Sequence, residues 1–157
     1  MTSKKVTRPS LDKYFMDISI AVGRRSTCRR HQIGAIAVKD KRILTTGYNG
    51  APSGIRDCLE LGCLRDADKI PSGENTEICR AIHAEQNVII QGALHGVSLE
   101  GSTIYCTHSP CILCAKMLVN SKIARNVYLL DYEDARFADL YREAGIEFGV
   151  MVAGTEA

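Results

Sequence analysis

The second half of the chain alternates between strand-like and helix-like segments. Strand patterns cover residues 102–107, 126–130 and 146–152, and helical patterns at 111–120 and 134–143 separate them. A strand that leads through a helix to the next strand of the same sheet forms a right-handed crossover, so the two strands are parallel. This alternation predicts a parallel sheet region packed against helices.

The first half of the chain adds a helix, a hairpin and a second helix. Residues 11–26 carry apolar side chains at helical spacing, and residues 84–94 show a second helical pattern. Two strand patterns, 33–38 and 42–49, are joined by a predicted turn at 39–41. The complete order predicts an α/β fold, with one mixed five-stranded sheet in a three-layer α/β/α sandwich.

Length, charge and cysteine usage narrow the class of protein. The 157 residues suit one domain over 1–157, and a net charge of +2 argues against a nucleic-acid partner. No signal peptide and no membrane-spanning stretch is recognisable, so we expect a cytoplasmic protein without a membrane partner. Thiols stay reduced in that compartment, so the seven cysteines are expected to serve metal binding or catalysis rather than disulfides.

One long segment has no convincing secondary structure pattern. Residues 50–78 contain neither a helical nor a strand periodicity, although they include Cys58 and Cys63 and lead to Cys79. Structureless loops of this length are uncommon in compact domains unless they are functional or held in place. We therefore expect this segment to be functional or to be anchored.

Two short motifs indicate a metal site. His83 precedes Glu85 by two residues at the start of a predicted helix, and Cys111 and Cys114 form a Pro-Cys-x-x-Cys at the start of another. A Cys-x-x-Cys alone also fits a redox pair. Combined with the histidine it supplies three zinc ligands and leaves a fourth position for water, which is typical of catalytic zinc. Glu85 is then the proton-transfer residue and not a ligand, as in zinc-dependent nucleobase deaminases.

Three histidines and Cys106 lie outside these two motifs. His31 and His95 have no neighbouring ligand motif and are expected on the surface. His108 lies near the predicted site in sequence and receives no role. Cys106 alternates with Ile104 in a predicted strand, which is typical of a buried apolar residue.

The motifs "HAEQN", "THSPCILC" and "GYNGAPSG" make the chain similar to deoxycytidylate deaminases of the cytidine deaminase superfamily. The resemblance covers about residues 11–148 and implies a cytidine deaminase-like fold. It also implies zinc-dependent hydrolysis of deoxycytidylate (dCMP) to dUMP and ammonia, which supplies thymidylate synthesis. Zinc-activated water would attack C4 of the base, and Glu85 would carry the protons.

The same resemblance implies a set of substrate contacts. Asn49 matches the family asparagine that binds the sugar of the nucleotide. Ser26 and Arg30 lie in the segment that matches the family's phosphate region, and Tyr132 lies in the matching segment after the fourth predicted strand. An arginine with hydroxyl groups is suited to one phosphate.

Relatives in this family often hold a second, structural zinc, and many are regulated hexamers. The cysteines available here for such a site are Cys28, Cys58, Cys63 and Cys79, and the alternative is four buried free thiols. The resemblance further implies a homo-hexamer, activation by dCTP, inhibition by dTTP, and Mg²⁺ bound with the regulatory nucleotide.

Three other functions remain open. The substrate could be another free nucleoside, nucleotide or small heterocycle, or a base in RNA. The RNA substrate is disfavoured because the chain has no Trp and three Phe for stacking. A non-catalytic, zinc-stabilised module is the third alternative, and Glu85 argues against it because such a module does not need a carboxylate beside an open metal site.

Overall fold

A computed structural model of the protein describes residues 7–151. The elements, in chain order, are α1 (Leu11–Gly23), β1 (Gly34–Lys39), β2 (Arg42–Tyr48), α2 (Cys58–Leu61), α3 (Leu64–Ala67), a 3₁₀ turn (Thr76–Ile78), α4 (Ala84–His95), β3 (Thr103–His108), α5 (Ile112–Asn120), β4 (Arg125–Leu130), α6 (Phe137–Ala144) and β5 (Glu147–Val150). The predicted last strand ends at residue 152, which lies outside the described residues, whereas β5 ends at Val150.

The strands form one five-stranded sheet in the order β2-β1-β3-β4-β5. β1 is antiparallel to both β2 and β3, whereas β3, β4 and β5 run parallel. The parallel part is the region where the sequence alternates between strand and helix. The predicted mixed sheet is therefore confirmed.

Two apolar clusters lie on opposite faces of the sheet. On one face, Phe15 and Met16 of α1 pack with Ile36 of β1 and Tyr105 of β3. On the other face, buried residues of α4, α5 and α6 pack against the alternate strand positions, including Ile104. Helices therefore cover both faces, and the predicted three-layer sandwich is confirmed.

The hairpin turn and the first helix depend on local backbone chemistry. Asp40 and Lys41 form a two-residue turn, and both have positive φ, of 51° and 60°. A turn with two left-handed residues matches the twist of antiparallel strands. Ser10 begins α1, because its Oγ accepts a hydrogen bond from the N–H of Lys13 at 3.2 Å. The helix ends at Gly23, three residues before the predicted end.

The segment after β2 is more ordered than its sequence indicates. It contains the one-turn helices α2 and α3 and a 3₁₀ turn, although no helix was predicted there. Asp57 caps α2 by accepting hydrogen bonds from the N–H groups of Leu59 and Glu60. Four-residue helices do not show a recognisable apolar period, which explains why the sequence pattern missed them.

No helix within residues 7–151 combines the length and the apolar character needed to cross a lipid bilayer.

Candidate active site

The beginnings of two helices meet at the candidate site. His83 immediately precedes α4, and its backbone N–H donates to Oε1 of Gln86 at 2.8 Å, which fixes the start of the helix. Cys111 immediately precedes α5, and its Sγ lies 3.5 Å from the N–H of Cys114. Each predicted metal-binding motif therefore occupies the N-terminal end of its helix, where the helix dipole favours thiolates.

The three predicted catalytic zinc ligands converge. Nδ1 of His83 lies 3.5 Å from Sγ of Cys111 and 3.4 Å from Sγ of Cys114. Zinc bonds of about 2.0–2.3 Å in a tetrahedron place neighbouring ligand atoms roughly 3.6 Å apart, so the separations and the donor types fit zinc. No other trio of His, Cys, Asp or Glu side chains converges this closely within residues 7–151.

One of the two thiols at this cluster has a lowered pKa. Hydrogen bonds from the Cys114 thiol and from His83 hold the pKa of Cys111 well below its usual range, although burial acts in the opposite direction. A thiol with a lowered pKa is readily available as the thiolate that a metal needs. Cys111 is thus the more acidic thiol of the pair, since the hydrogen bond with Cys111 and burial raise the pKa of Cys114.

Glu85 lies in the first turn of α4 and is 4% exposed. Burial raises the pKa of this carboxyl to about 7, while the neighbouring charge of His83 partly opposes the rise. A carboxyl with such a pKa can both accept and donate a proton near neutral pH. The residue lines the same pocket as His83 and Cys111.

Asn49 lies on the wall of that pocket, and both ends of its side chain bind backbone groups. Its Oδ1 accepts from the N–H of Ile33 at 2.9 Å, and its Nδ2 donates to the carbonyl of His31 at 2.8 Å. Ser26 is buried, donates its hydroxyl to the carbonyl of Asn49 at 2.9 Å, and is not a lining residue of the pocket. A hydrogen bond from the Ser26 hydroxyl to the backbone carbonyl of Asn49 thus links these two predicted substrate-binding residues.

Arg30 and Tyr132 both line the pocket. The Arg30 guanidinium already pairs with Asp66, with Nε 2.7 Å from Oδ1, and its Nη2 donates to the carbonyl of Ile70 at 2.7 Å. Tyr132 is half-buried, and its backbone N–H donates to Oγ of Ser109 at 2.7 Å. Their predicted contacts with a phosphate stay predictions.

The four remaining predicted metal ligands line this pocket too, namely Cys28, Cys58, Cys63 and Cys79. Their donor atoms do not converge to the separation seen at His83, Cys111 and Cys114. The backbone N–H of Arg30 donates to Sγ of Cys28 at 3.4 Å. The second zinc site stays a prediction.

The prediction that His31 lies on the surface is wrong. Its ring is partly buried and lines the pocket, with Nε2 3.3 Å from Oγ of Ser72 and the ring centroid 5.8 Å from that of His108. No ligand spacing marks His31, so the sequence did not reveal this position. His95 is exposed and Cys106 is fully buried, as predicted.

Sequence reasoning also missed two charged residues at the site. Arg65 of α3 is only 7% exposed and lines the pocket. Asp134 accepts a hydrogen bond from the N–H of Ile112, the first residue of α5, at 2.9 Å. Neither belongs to a motif with a fixed spacing, so only their positions in three dimensions identify them.

Known proteins are similar to this chain in sequence. The family model described as the cytidine and deoxycytidylate deaminase zinc-binding region matches residues 9–130. ComE operon protein 2 of Bacillus subtilis is 39% identical over 140 residues, which cover 88% of this chain and 70% of that protein. Deoxycytidylate deaminase of Schizosaccharomyces pombe is 33% identical over 141 residues, which cover 89% of this chain but 44% of the yeast protein.

Among solved structures, dCMP deaminase from the cyanophage S-TIM5, crystallised in complex with dCMP and dUMP, is similar over nearly the whole chain. It superposes with a TM-score of 0.78 at 30% sequence identity, covering 93% of this chain and 100% of the phage chain. The match of residues 9–130 to the family model includes His83, Glu85, Cys111 and Cys114. The chain therefore belongs to the cytidine and deoxycytidylate deaminase family.

Proposed function

We propose that this protein hydrolyses dCMP to dUMP and ammonia in a zinc-dependent reaction. The observation that carries the proposal is the convergence of His83, Cys111 and Cys114 beside the buried carboxyl of Glu85. The similarity to a phage dCMP deaminase crystallised with dCMP and dUMP supports this choice of substrate. Residues 1–157 would act as a single deaminase domain.

His83, Cys111 and Cys114 would hold the zinc. When bound, zinc supplies a Lewis acid that lowers the pKa of water in the open fourth position towards roughly 7. Three protein ligands leave this position free, which distinguishes the site from a closed structural one. The residues around it must then orient the base and move protons.

Glu85 is suited to the proton transfers. Its carboxyl accepts the proton of the attacking water, delivers a proton to N3 of the cytosine ring, and assists departure of ammonia from C4. The pKa near 7 that burial gives this carboxyl matches both directions of transfer. The pocket wall formed by Asn49 and Tyr132 would hold the sugar and phosphate side of the nucleotide.

The protein would also hold a second, structural zinc and respond to nucleotides. Cys28, Cys58, Cys63 and Cys79 are the proposed ligands, supported by their positions around one pocket. A zinc ion there would tie the segment after β2 to the junction between α1 and β1. Regulation by dCTP with Mg²⁺, inhibition by dTTP and a hexameric assembly complete the proposal.

A substrate panel tests the proposed activity. Purified zinc-loaded protein would be incubated with dCMP, CMP, deoxycytidine, dCTP and 5-methyl-dCMP, each with and without added dCTP as an effector. We expect dCMP to have the highest kcat/KM. A higher kcat/KM for deoxycytidine or for another compound of the panel would contradict the proposal. It would show that the site acts on a different substrate.

A further inference from the structure

Arg65 is a buried cation that pairs with no Asp or Glu in the described part of the chain. It lies in α3, is 7% exposed, and takes part in none of the ion pairs within residues 7–151. Its Nη2 donates to the carbonyl of Pro71 at 2.6 Å. Its Nε is buried and has no hydrogen-bond partner in the same part of the chain.

A guanidinium in this state is electrostatically unfavourable. Removing a charge from water is costly unless an opposite charge and hydrogen bonds replace the lost hydration. The neutral carbonyl of Pro71 uses one of the five N–H donors and supplies no negative charge. Arg65 therefore lacks a carboxylate partner among residues 7–151, and its side chain lines the pocket in which an anionic ligand would bind.

Arg30 also lines this pocket, but a carboxylate pairs with its charge. Asp66, the residue after Arg65, accepts a hydrogen bond from its Nε at 2.7 Å, and Arg30 Nη2 donates to the carbonyl of Ile70 at 2.7 Å. Arg30 and Arg65 thus bind the carbonyls of two consecutive residues, Ile70 and Pro71. Only Arg65 keeps its positive charge free for a ligand.

The neighbours of Arg65 resemble a phosphate subsite. Tyr132 lines the same pocket as Arg65. Burial raises the pKa of the Tyr132 phenol, and the charge of Arg65 partly opposes the rise. Ser72 follows Pro71, and its hydroxyl lies 3.3 Å from Nε2 of His31. A guanidinium, a phenol, a serine hydroxyl and an imidazole are all able to donate hydrogen bonds to phosphate oxygens.

The cysteines of the pocket are a less suitable partner for Arg65. Arg80 also has a buried Nε without a hydrogen-bond partner among the described residues. Its charge partly opposes the rise that burial causes in the pKa of Cys58. Arg80 is therefore the arginine whose charge acts on Cys58. Arg65 lines the same pocket as Tyr132 and remains for an anion bound there.

We propose that Arg65, and not Arg30, is the principal residue that binds the phosphate of the nucleotide and so sets the preference for a nucleotide over a nucleoside. This rests on the proposed function, because it presumes that the pocket takes a pyrimidine nucleotide. Arg30 then serves to hold the 70–72 segment in place through Ile70 and Asp66.

Binding of the product and of its nucleoside tests this assignment. Dissociation constants for dUMP and deoxyuridine would be measured by calorimetry on zinc-loaded wild-type protein, Arg65→Gln and the matched control Arg30→Gln. We expect Arg65→Gln to weaken dUMP binding by roughly 10- to 100-fold, the effect of losing charge-assisted hydrogen bonds. Deoxyuridine binding should change by less than about threefold, since it has no phosphate to lose.

Arg65→Lys keeps the charge and provides a test if the glutamine variant does not fold. It should retain part of the preference for dUMP, because lysine is a point charge that cannot reproduce a bidentate contact. Equal losses for dUMP and deoxyuridine in Arg65→Gln or Arg65→Lys would overturn the proposal, as would a larger selective loss in Arg30→Gln. Wild-type protein that binds deoxyuridine as tightly as dUMP would instead refute the proposed nucleotide substrate.

Discussion

Asp134 holds the start of α5 through Ile112, with its Oδ2 accepting the Ile112 N–H at 2.9 Å. Ile112 directly follows Cys111, so this contact fixes the backbone that carries two proposed metal ligands, Cys111 and Cys114. A hydrogen bond from Arg136 and the N–H of Ile112 lower the pKa of Asp134 to about 2, although burial acts against this. The carboxylate is therefore ionised at neutral pH and acts as a remote cap for the helix.

Replacing Asp134 should loosen the metal site. We expect Asp134→Ala to lower the free energy of unfolding by about 1 kcal/mol, as for a lost helix cap. Zinc affinity should fall by roughly 10- to 100-fold, the usual effect of removing a residue that orients a ligand. Competition with a chromophoric chelator measures the affinity. Arg136→Ala is the control, since it leaves the Asp134–Ile112 hydrogen bond intact, and equal zinc affinity in all three proteins would exclude this role.

Glu85→Gln should separate metal binding from proton transfer. The amide keeps the shape of the side chain but cannot carry a proton, so we expect zinc content to stay at the wild-type level. Turnover of dCMP should fall by roughly 10²- to 10⁴-fold. Metal analysis and kinetics on the same sample decide the outcome, with Glu143→Gln on the exposed surface of α6 as the control. Near-normal turnover in Glu85→Gln would refute its catalytic role.

Two zinc ions per chain are expected if the four cysteines of the pocket bind metal. Cys58→Ser should then retain one zinc, unfold at a lower temperature and lose activity although the catalytic ligands are unchanged, because structural zinc contributes directly to folding. Cys106→Ala removes a buried cysteine that is not a proposed ligand and should keep both ions. One zinc in fully metallated wild-type protein would mean that these cysteines are free thiols.

An ion pair between α1 and β4 should make stability depend on acid pH. Asp12 accepts hydrogen bonds from Nη1 and Nη2 of Arg125 at 2.8 and 2.7 Å, and from the hydroxyl of Tyr105 at 2.6 Å. The Arg125 hydrogen bond is the main reason that the pKa of Asp12 is lowered. Stabilisation is thus complete above the unfolded-state pKa, about 3.9, and is lost as pH falls through the folded-state pKa.

Asp12→Asn tests this dependence. We expect it to reduce stability at pH 7 by on the order of 1 kcal/mol, a modest figure because solvent screens the partly exposed pair. The difference between variant and wild type should shrink as pH falls below the unfolded-state pKa of about 3.9 and through the lowered folded-state pKa of Asp12. Urea unfolding at pH 7, 5 and 3 measures it, and a difference that stays constant with pH would show that the effect is not electrostatic.

The sequence by itself was sufficient to predict the five strands, the four longer helices and the three residues that converge at the candidate metal site. The alternation of strand and helix patterns after residue 100 was sufficient to predict parallel β3, β4 and β5, and the His83–Glu85 and Cys111–Cys114 spacings identified the site. These features are local, because each depends on residues within a few positions of one another. The pattern of residues along the chain is therefore nearly sufficient to predict these features.

The tertiary structure alone decided the environment of the individual charges. Arg30 and Arg65 look alike in sequence, but Arg30 meets Asp66, 36 residues away, while Arg65 is buried without an acidic partner in the described part of the chain. His31 lines the pocket. Asp134 accepts a hydrogen bond from the N–H of Ile112, 22 residues away in sequence. Burial and pairing depend on which distant segments pack together, and no local spacing encodes that packing.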